Sequence, residues 1–297
     1  MTSTKRALII FNPRSGKGRG TRVEQEIRSE LEAAGHSVTV VIIDNLSELD
    51  QFDASDLDAL IAVGGDGTVH AALGFAMRTG APLYHAPLGT ENLFSREFGM
   101  SPDPVRVCRA VEKGSTRRID LALYDGTPFA IMCGLGFDAN VIQTLHAVRK
   151  GSISHLSYTI PILRELRAMR RVCVSVEVDG EPVVERGIGQ LVIANSKQYA
   201  MRNDYALNAS MTDGLTDLVF LPCTTGLGLL IWSIRARTRR HLSHARAVHR
   251  TGRTLRVSSH SDGSAVQIDG EFVRTLDEGE SLVITTAPSA MAVLLPA

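Results

Sequence analysis

Three times before residue 90 an apolar run ends in a loop of glycines and short polar side chains. Ala7-Leu-Ile-Ile-Phe11 stops at Asn12-Pro13, Ala59 to Val63 stops at Gly64-Gly65, and Ala81 to Ala86 stops at Pro87-Leu88-Gly89. Between them Val23, Ile27, Leu31 and Ala34 recur at helical spacing up to Gly35. Ser37 to Ile43 is a further β-branched run, and Thr68 to Met77 reads as a helix. A short strand that is apolar on both faces needs cover on both sides, so this alternation predicts a parallel sheet between layers of helices. In such a sheet ligands gather beyond the carboxyl ends of the strands, where these loops lie.

From about Ile119 the pattern changes. Leu121 to Tyr124 and Phe129 to Cys133 flank Asp125-Gly126, a hairpin signal. Val172 to Val178 alternates, turns at Asp179-Gly180 and resumes at Val183. Gly189 to Ala194, Asp217 to Leu221, Thr254 to Ser258, Ala265 to Ile268 and Ser281 to Thr285 are further strands. Helical stretches over Asn140 to Met169, broken around Gly151, and over Thr225 to Arg246 interrupt them. Short strands with Asp-Gly turns predict an antiparallel sandwich as a second domain. No repeat or low-complexity linker separates the two, which places a tight junction near residue 125 and makes the cleft there the expected site of chemistry.

The 297 residues carry 32 Lys+Arg and 32 Asp+Glu. A balanced charge argues against a chain coated for nucleic acid. Cys108, Cys133, Cys173 and Cys223 are scattered, without CxxC, as expected of reduced thiols in the cytoplasm. The histidines and cysteines show no metal-ligand spacing. The longest apolar stretch, Leu218 to Ile234, is interrupted by Pro222, two threonines and two glycines, short of a spanning helix. Arginines 235, 237, 239, 240, 246, 250, 253 and 256 follow it, and no acidic residue lies between Asp217 and Asp262. An apolar segment followed by a basic helix suits peripheral contact with an anionic bilayer through Arg235–Arg256, although a solvated basic face is the commoner use of such a run.

Gly64-Gly65-Asp66-Gly67-Thr68, between a strand and a helix, is the sharpest motif. Glycine amides can approach a phosphate closely, and the helix adds its positive N-terminus. Asp66 can hold Mg²⁺ or orient a hydroxyl; the plain alternative is a glycine turn with Thr68 as the N-cap. Asn12-Pro-Arg14-Ser15-Gly16-Lys17-Gly18-Arg19-Gly20 is neither a Walker A loop nor GxGxxG, yet it offers glycine amides, Ser15 and cations on the same edge. Thr90 and Asn92 suit a nucleotide or, equally, the N-cap of a helix over Glu91 to Phe98. Gly134-Leu-Gly-Phe-Asp138 reads as close packing with Asp138 as an N-cap. Two Asp-Gly-Glu triplets, at 179–181 and 269–271, are hairpin turns whose glutamates could act as a general base; spacing does not choose between Glu181 and Glu271.

Taken together, Asn12 to Gly18, Gly64 to Thr68, Pro87 to Asn92, Gly134 to Asp138 and Ile268 to Glu271 resemble the diacylglycerol-kinase-like lipid kinases in order and spacing. That family includes soluble bacterial diacylglycerol kinases and the sphingosine and ceramide kinases. The resemblance covers essentially the whole chain. It implies an α/β fold: a three-layer, NAD-kinase-like nucleotide domain over 1–125, with a tail over 287–297 returning to it, and an antiparallel β-sandwich lipid domain over 126–286. It implies ATP as phosphoryl donor, bound by Asn12, Ser15, Gly16, Lys17, Gly64, Gly65, Asp66, Gly67, Thr68, Thr90 and Asn92. Asp66 and Glu271 would be catalytic, with Glu271 as proton acceptor and Glu181 left as a turn. A structural Mg²⁺ would be held by Asp213 and the carbonyls of Ser210 and Leu215, a hard-oxygen set. The acceptor would be a lipid at the membrane surface, and a homodimer is compatible with the sequence.

Three stretches depart from the family pattern. His70-Ala71 stands where Asn-Glu is usual, Asn92-Leu93 where Asn-Asp is usual, and Ala200-Met201-Arg202 where a glycine triplet is usual. They leave open two other readings: an NAD-kinase-like enzyme with a soluble acceptor, and a non-catalytic nucleotide or lipid sensor.

Overall fold

In the computed structural model, residues 3–148, 162, 164–166 and 170–297 are described. They fall into two compact units, Met1–Ile119 with Ser289–Ala297, and Asp120–Pro288.

The first unit is built on a parallel sheet. Strand β1 (Arg6–Phe11) lies between β2 (Ser37–Ile42) and β3 (Ala59–Gly64), and β4 (Leu83–Pro87) pairs with the far side of β3. All six residues of β3 are buried, as a strand covered on both faces requires. Each large apolar side chain so placed contributes about 1.5–3 kcal/mol. Helix α1 (Gly20–Ala33) buries Ile27 and Leu31 of the predicted stripe and half-buries Val23, whereas Ala34 is its exposed C-cap. It also buries Glu24, which pairs with Arg28 at 3.2 Å. Helix α2 (Asp66–Thr79) begins two residues before Thr68, so Thr68 is not its N-cap; Gly65 occupies that position and Thr68 is buried in the first turn. Helix α3 (Leu93–Phe98) follows β4. Helix α4 (Pro104–Lys113) carries its own signals: Asp103 accepts from Arg106 N, Pro104 opens it and Gly114 closes it.

The second unit is antiparallel. Strand β5 (Thr116–Tyr124), which begins in the first unit, and β6 (Thr127–Phe129) form the hairpin predicted at Asp125-Gly126, both of which have positive φ. Strand β7 (Met132–Leu135) leads into helix α5 (Phe137–Val148). The rest of the helical stretch expected up to Met169 lies largely outside the described residues. Strands β8 (Cys173–Val178) and β9 (Glu181–Ala194) turn at Asp179-Gly180, and β9 also pairs with β7 and with β10 (Thr216–Pro222).

Helix α6 (Gly226–Arg237) ends well short of the expected Arg246. Thr238 Oγ1 donates to the carbonyl of Ile234, and Arg239 turns left-handed at φ 56°, which stops it. The arginine run therefore continues through turns into β11 (Val248–Gly252) and β12 (Thr254–Ser259) instead of forming one basic helix. Strands β13 (Ser264–Ile268) and β14 (Glu271–Leu276) form the last hairpin, β13 pairing also with β7. In β15 (Ser281–Leu294) the first half pairs with β12, while Val293 lies parallel to Leu83 in the first unit. The core of the second unit gathers Phe129, Leu191, Phe220, Val257, Val266 and Ile284.

Candidate functional site

At the carboxyl ends of β1, β3 and β4 three loops close on one another. Asn12 N donates to Val63 O at 3.1 Å, and Ser15 N returns to Asn12 O at 3.0 Å. The Asn12 side chain accepts from Arg14 N at 3.0 Å, so it shapes its own loop. Gly16 rests on Leu88: a Cβ there would lie 3.3 Å from Leu88 Cβ, on a backbone whose φ is +60°. Gly65 rests on Gly89, where an added Cβ at position 89 would sit 2.8 Å from Gly65 Cα. Glycine is required at these points because three backbones approach within contact, the arrangement that leaves amides accessible to an anion.

The middle loop carries the chemistry. An added Cβ at Gly64 would collide with Thr68 Oγ1, which is buried and has no hydrogen-bond partner. Asp66 is half-buried in the first turn of α2, and its Oδ1 accepts from Phe94 N at 3.1 Å, tying that helix to the start of α3. Asn92 occupies the N-cap position of α3, left-handed at φ 49°, but its side chain caps no helix N–H. Its amide instead clasps Gly89, accepting from Gly89 N at 2.7 Å and donating to Gly89 O at 2.8 Å. Lys17 is exposed on a left-handed backbone, Thr90 is exposed and Gly67 half-buried. Arg14 pairs with Asp44 at 2.8 Å.

His85 completes this platform, and the motifs do not reveal it. It is fully buried beneath the loop, with Nε2 3.0 Å from Gly64 O. Burial pushes its pKa down, against the opposing influence of Asp66. Its signal in the sequence is a lone imidazole inside an otherwise apolar run.

In the second unit, Asp269 is buried at a positive φ and its carboxylate accepts from three backbone amides: Ala130 N at 3.0 Å, Ile131 N at 2.9 Å and Met132 N at 3.0 Å. The turn that presents Glu271 at the start of β14 is thereby anchored to the segment entering β7. Gly270 N donates to Gln267 Oε1 at 2.9 Å, and Gln267 Nε2 donates to Asp138 Oδ2 at 3.3 Å. Asp138 is no N-cap: it lies in the first turn of α5 and accepts from Tyr199 OH at 2.5 Å, while its Oδ1 is buried without a partner. Burial raises its pKa, and the Tyr199 bond opposes that rise. Gly134 has no Cβ because one would lie 2.5 Å from this carboxylate. Asp179-Gly180, by contrast, is a turn whose aspartate accepts from Arg253 N and Thr254 N, with Glu181 following it.

Ser210, Asp213 and Leu215 share one loop. Asp213 Oδ1 accepts from Leu215 N at 3.0 Å, and Asp120 Oδ2 accepts from Gly214 N at 2.7 Å. Burial raises the Asp213 pKa, and the charges of Asp217 and Asp120 add to the rise. A carboxylate destabilised by burial and by its acidic neighbours suits a hard divalent cation. Elsewhere, donors of His36, Cys108 and Glu112 lie within 4.8 Å of one another. Lys5 N donates to His36 Nδ1, which puts the ring proton on Nε2 and makes this imidazole a poor ligand.

Residues 6–124 match the model of the diacylglycerol kinase catalytic domain, and residues 132–295 match that of the YegS C-terminal NAD kinase beta sandwich-like domain. The chain belongs to the diacylglycerol-kinase-like family. A diacylglycerol kinase of Staphylococcus epidermidis is 25% identical over 90% of this chain and 86% of its own length; one from Bacillus subtilis is 24% identical over 90% of each. A Bacillus anthracis structure named for diacylglycerol kinase superposes with a TM-score of 0.77 at 20% identity, covering 99% of this chain and 96% of that one. An Archaeoglobus fulgidus NAD kinase in complex with ATP superposes at 0.53 with 15% identity, covering 98% and 94%. These likenesses support the α/β fold with a C-terminal β-sandwich that the sequence predicts for this family.

Proposed function

We propose that this member of the family is an ATP-dependent lipid kinase that moves the γ-phosphoryl group to a primary hydroxyl of a lipid such as diacylglycerol. The observation that carries the reading is the glycine platform of Gly16, Gly64, Gly65 and Gly89 at the positive end of α2. Phosphoryl transfer depends on positioning and charge stabilisation, and such a platform supplies both. Asn12, Ser15, Gly16, Lys17, Gly64 to Thr68, Thr90 and Asn92 are assigned to ATP. Asn92 acts by holding Gly89 in place, and Asp66 by placing the Mg²⁺–ATP. Glu271 is assigned as the base that takes the hydroxyl proton while the alcohol oxygen bonds to phosphorus and the bond to the ADP oxygen breaks.

The donor set of Asp213, Ser210 and Leu215 fits Mg²⁺, and these residues would hold it as a structural ion. Its contribution would be to offset the clustered charge of Asp213, Asp217 and Asp120. By the same assignment residues 1–125 with 287–297 form the nucleotide domain and 126–286 the lipid domain.

The test is transfer of labelled phosphate from ATP in mixed micelles, across diacylglycerol, monoacylglycerol, phosphatidylglycerol, sphingoid bases and undecaprenol. Labelling of one lipid class that Glu271→Ala abolishes, with ATP binding retained, supports the proposal. Conversion of NAD with no lipid labelled, or ATP binding without any transfer, would overturn it in favour of a soluble acceptor or a sensor.

A further inference from the structure

Helix α6 is 12 residues long, about 18 Å, and its two faces are both apolar. One face packs inward: Leu229, Trp232 and Ala236 are buried, and Trp232 Nε1 donates to Pro222 O at 2.9 Å. The other face is bare. Leu227 is 68% exposed, Leu230 54%, Ile231 45% and Ile234 56%, and their i, i+3, i+4, i+7 spacing makes one continuous stripe. Among the described residues, four of the large apolar side chains most open to water thus lie on a single helix. Isolated exposed leucines need no explanation, whereas a contiguous stripe does.

A second element joins this stripe. Arg237 Nη1 donates to Met201 O at 2.8 Å, which places the loop Ala200–Arg202 beside the end of α6. Met201 is 56% exposed, and Met201 and Arg202 hold φ of 54° and 56°, a backbone that favours glycine. A left-handed backbone crowds the Cβ of a non-glycine residue. Met201 thus extends the apolar stripe, with Arg202 exposed beside it.

The charge pattern narrows the occupant to an anionic surface. Arg237, Arg239 and Arg240 are exposed directly after the stripe, Arg202 is exposed beside Met201, and residues 218–261 contain no acid. Among the described residues, Asp204 faces these arginines from another element, 3.9 Å from Arg239. An apolar stripe bordered by exposed arginines that outnumber the acid facing them matches the layering of an anionic leaflet, phosphates outside and acyl chains beneath. We infer that the Leu227/Leu230/Ile231/Ile234 face of α6, with Met201, is a docking surface that embeds in an anionic phospholipid bilayer while Arg202, Arg237, Arg239 and Arg240 engage its phosphates. Choice of a bilayer over a protein partner rests on the lipid-kinase reading, and the test separates the two.

The full chain is sedimented without ATP on sucrose-loaded vesicles of phosphatidylcholine, with and without phosphatidylglycerol and free of any phosphoryl acceptor. Binding to the anionic vesicles is expected, and Leu230→Gln/Ile231→Gln lowers the partition about tenfold or more at unchanged melting temperature. Arg239→Gln/Arg240→Gln weakens it in a manner that added salt mimics. Since Trp232 is the sole tryptophan and is buried, Leu230→Trp supplies a separate readout: its emission shifts to the blue on vesicles. Wild-type partition in the Gln variant, equal binding to neutral vesicles, an unshifted Leu230→Trp emission, or a dimer that the Gln variant dissociates would each overturn the surface. A protein that docks through α6 yet phosphorylates nothing leaves the surface intact and removes only the kinase reading.

Discussion

The carbonyl oxygen of Gly64 accepts from the imidazole Nε2 of His85 at 3.0 Å and from Leu88 N at 2.6 Å. A carbonyl cannot donate, so the ring proton sits on Nε2, and Nδ1 is left buried without a partner. The strand β4 thus holds the glycine loop from below by a neutral imidazole whose charged form burial opposes.

That arrangement predicts a pH dependence. The folded pKa of His85 is lowered from 6.5, so below that value the unfolded chain binds more protons than the folded one. Stability from this group is complete above pH about 6.5 and declines as pH falls toward the folded pKa, by at most about 1.4 kcal/mol per pH unit. His241, lowered chiefly by burial too, acts in the same direction. Denaturant midpoints measured from pH 7.5 to 5.5 should fall, and His85→Gln should flatten the slope while keeping a donor to Gly64. An unchanged slope in that variant would show that His85 titrates normally.

Gly89 gives a sharper test of the phosphate platform. A methyl group there would meet Gly65 Cα and Asn92 Oδ1, each at 2.8 Å. Gly89→Ala must push two loops apart, at about 1–3 kcal/mol. ATP affinity, read by calorimetry, should drop by about tenfold or more, since 1.4 kcal/mol is tenfold in a binding constant. Affinity equal to wild type would mean that ATP is not held at this junction.

The strands of the parallel sheet were legible because β1 and β3 are apolar on both faces and end in turn residues, a pattern that few other structures satisfy. The glycine loops were legible for the same reason. Boundaries governed by backbone conformation were not. Helix α6 ends because Arg239 turns left-handed, and nothing in Arg-Ala-Arg-Thr-Arg-Arg announces that turn. Asn92 looked like a helix cap or a nucleotide contact because the residue type is the same for both, and only coordinates show it clasping Gly89. His85 and Tyr199 act through burial and through partners distant in sequence, 21 and 61 residues away, which no local pattern encodes.

The Asp213 loop predicts a response to metal. Its folded pKa is raised, so stability from this group is present below the ordinary aspartate range and lost as pH rises through the folded value. At neutral pH the ionised carboxylate therefore opposes folding, and a bound cation relieves it. Mg²⁺ should raise the melting temperature, with a gain of about 2.7 kcal/mol at roughly a hundredfold excess over Kd. Asp213→Asn should be as stable as wild type or more so without metal, and should lose the Mg²⁺ response. A full Mg²⁺ response in that variant would move the ion elsewhere.

The two Asp-Gly-Glu turns have similar backbones, with positive φ at Asp179 and Gly180 and again at Asp269 and Gly270, yet different surroundings. Asp269 is buried under three amide donors, whereas Asp179 accepts from two amides at an exposed edge. Asp269→Asn replaces one acceptor oxygen by an NH₂ group facing backbone N–H groups, and should cost about 2–4 kcal/mol in denaturant unfolding. Glu271 follows that anchored turn at the start of β14, half-buried, and Glu271→Ala should remove turnover while the chain stays folded. Glu181→Ala should change neither. If Glu271→Ala and Glu181→Ala lowered kcat equally, the rigid anchoring of the second turn would have no catalytic purpose, and the proton acceptor would have to be sought among other carboxylates.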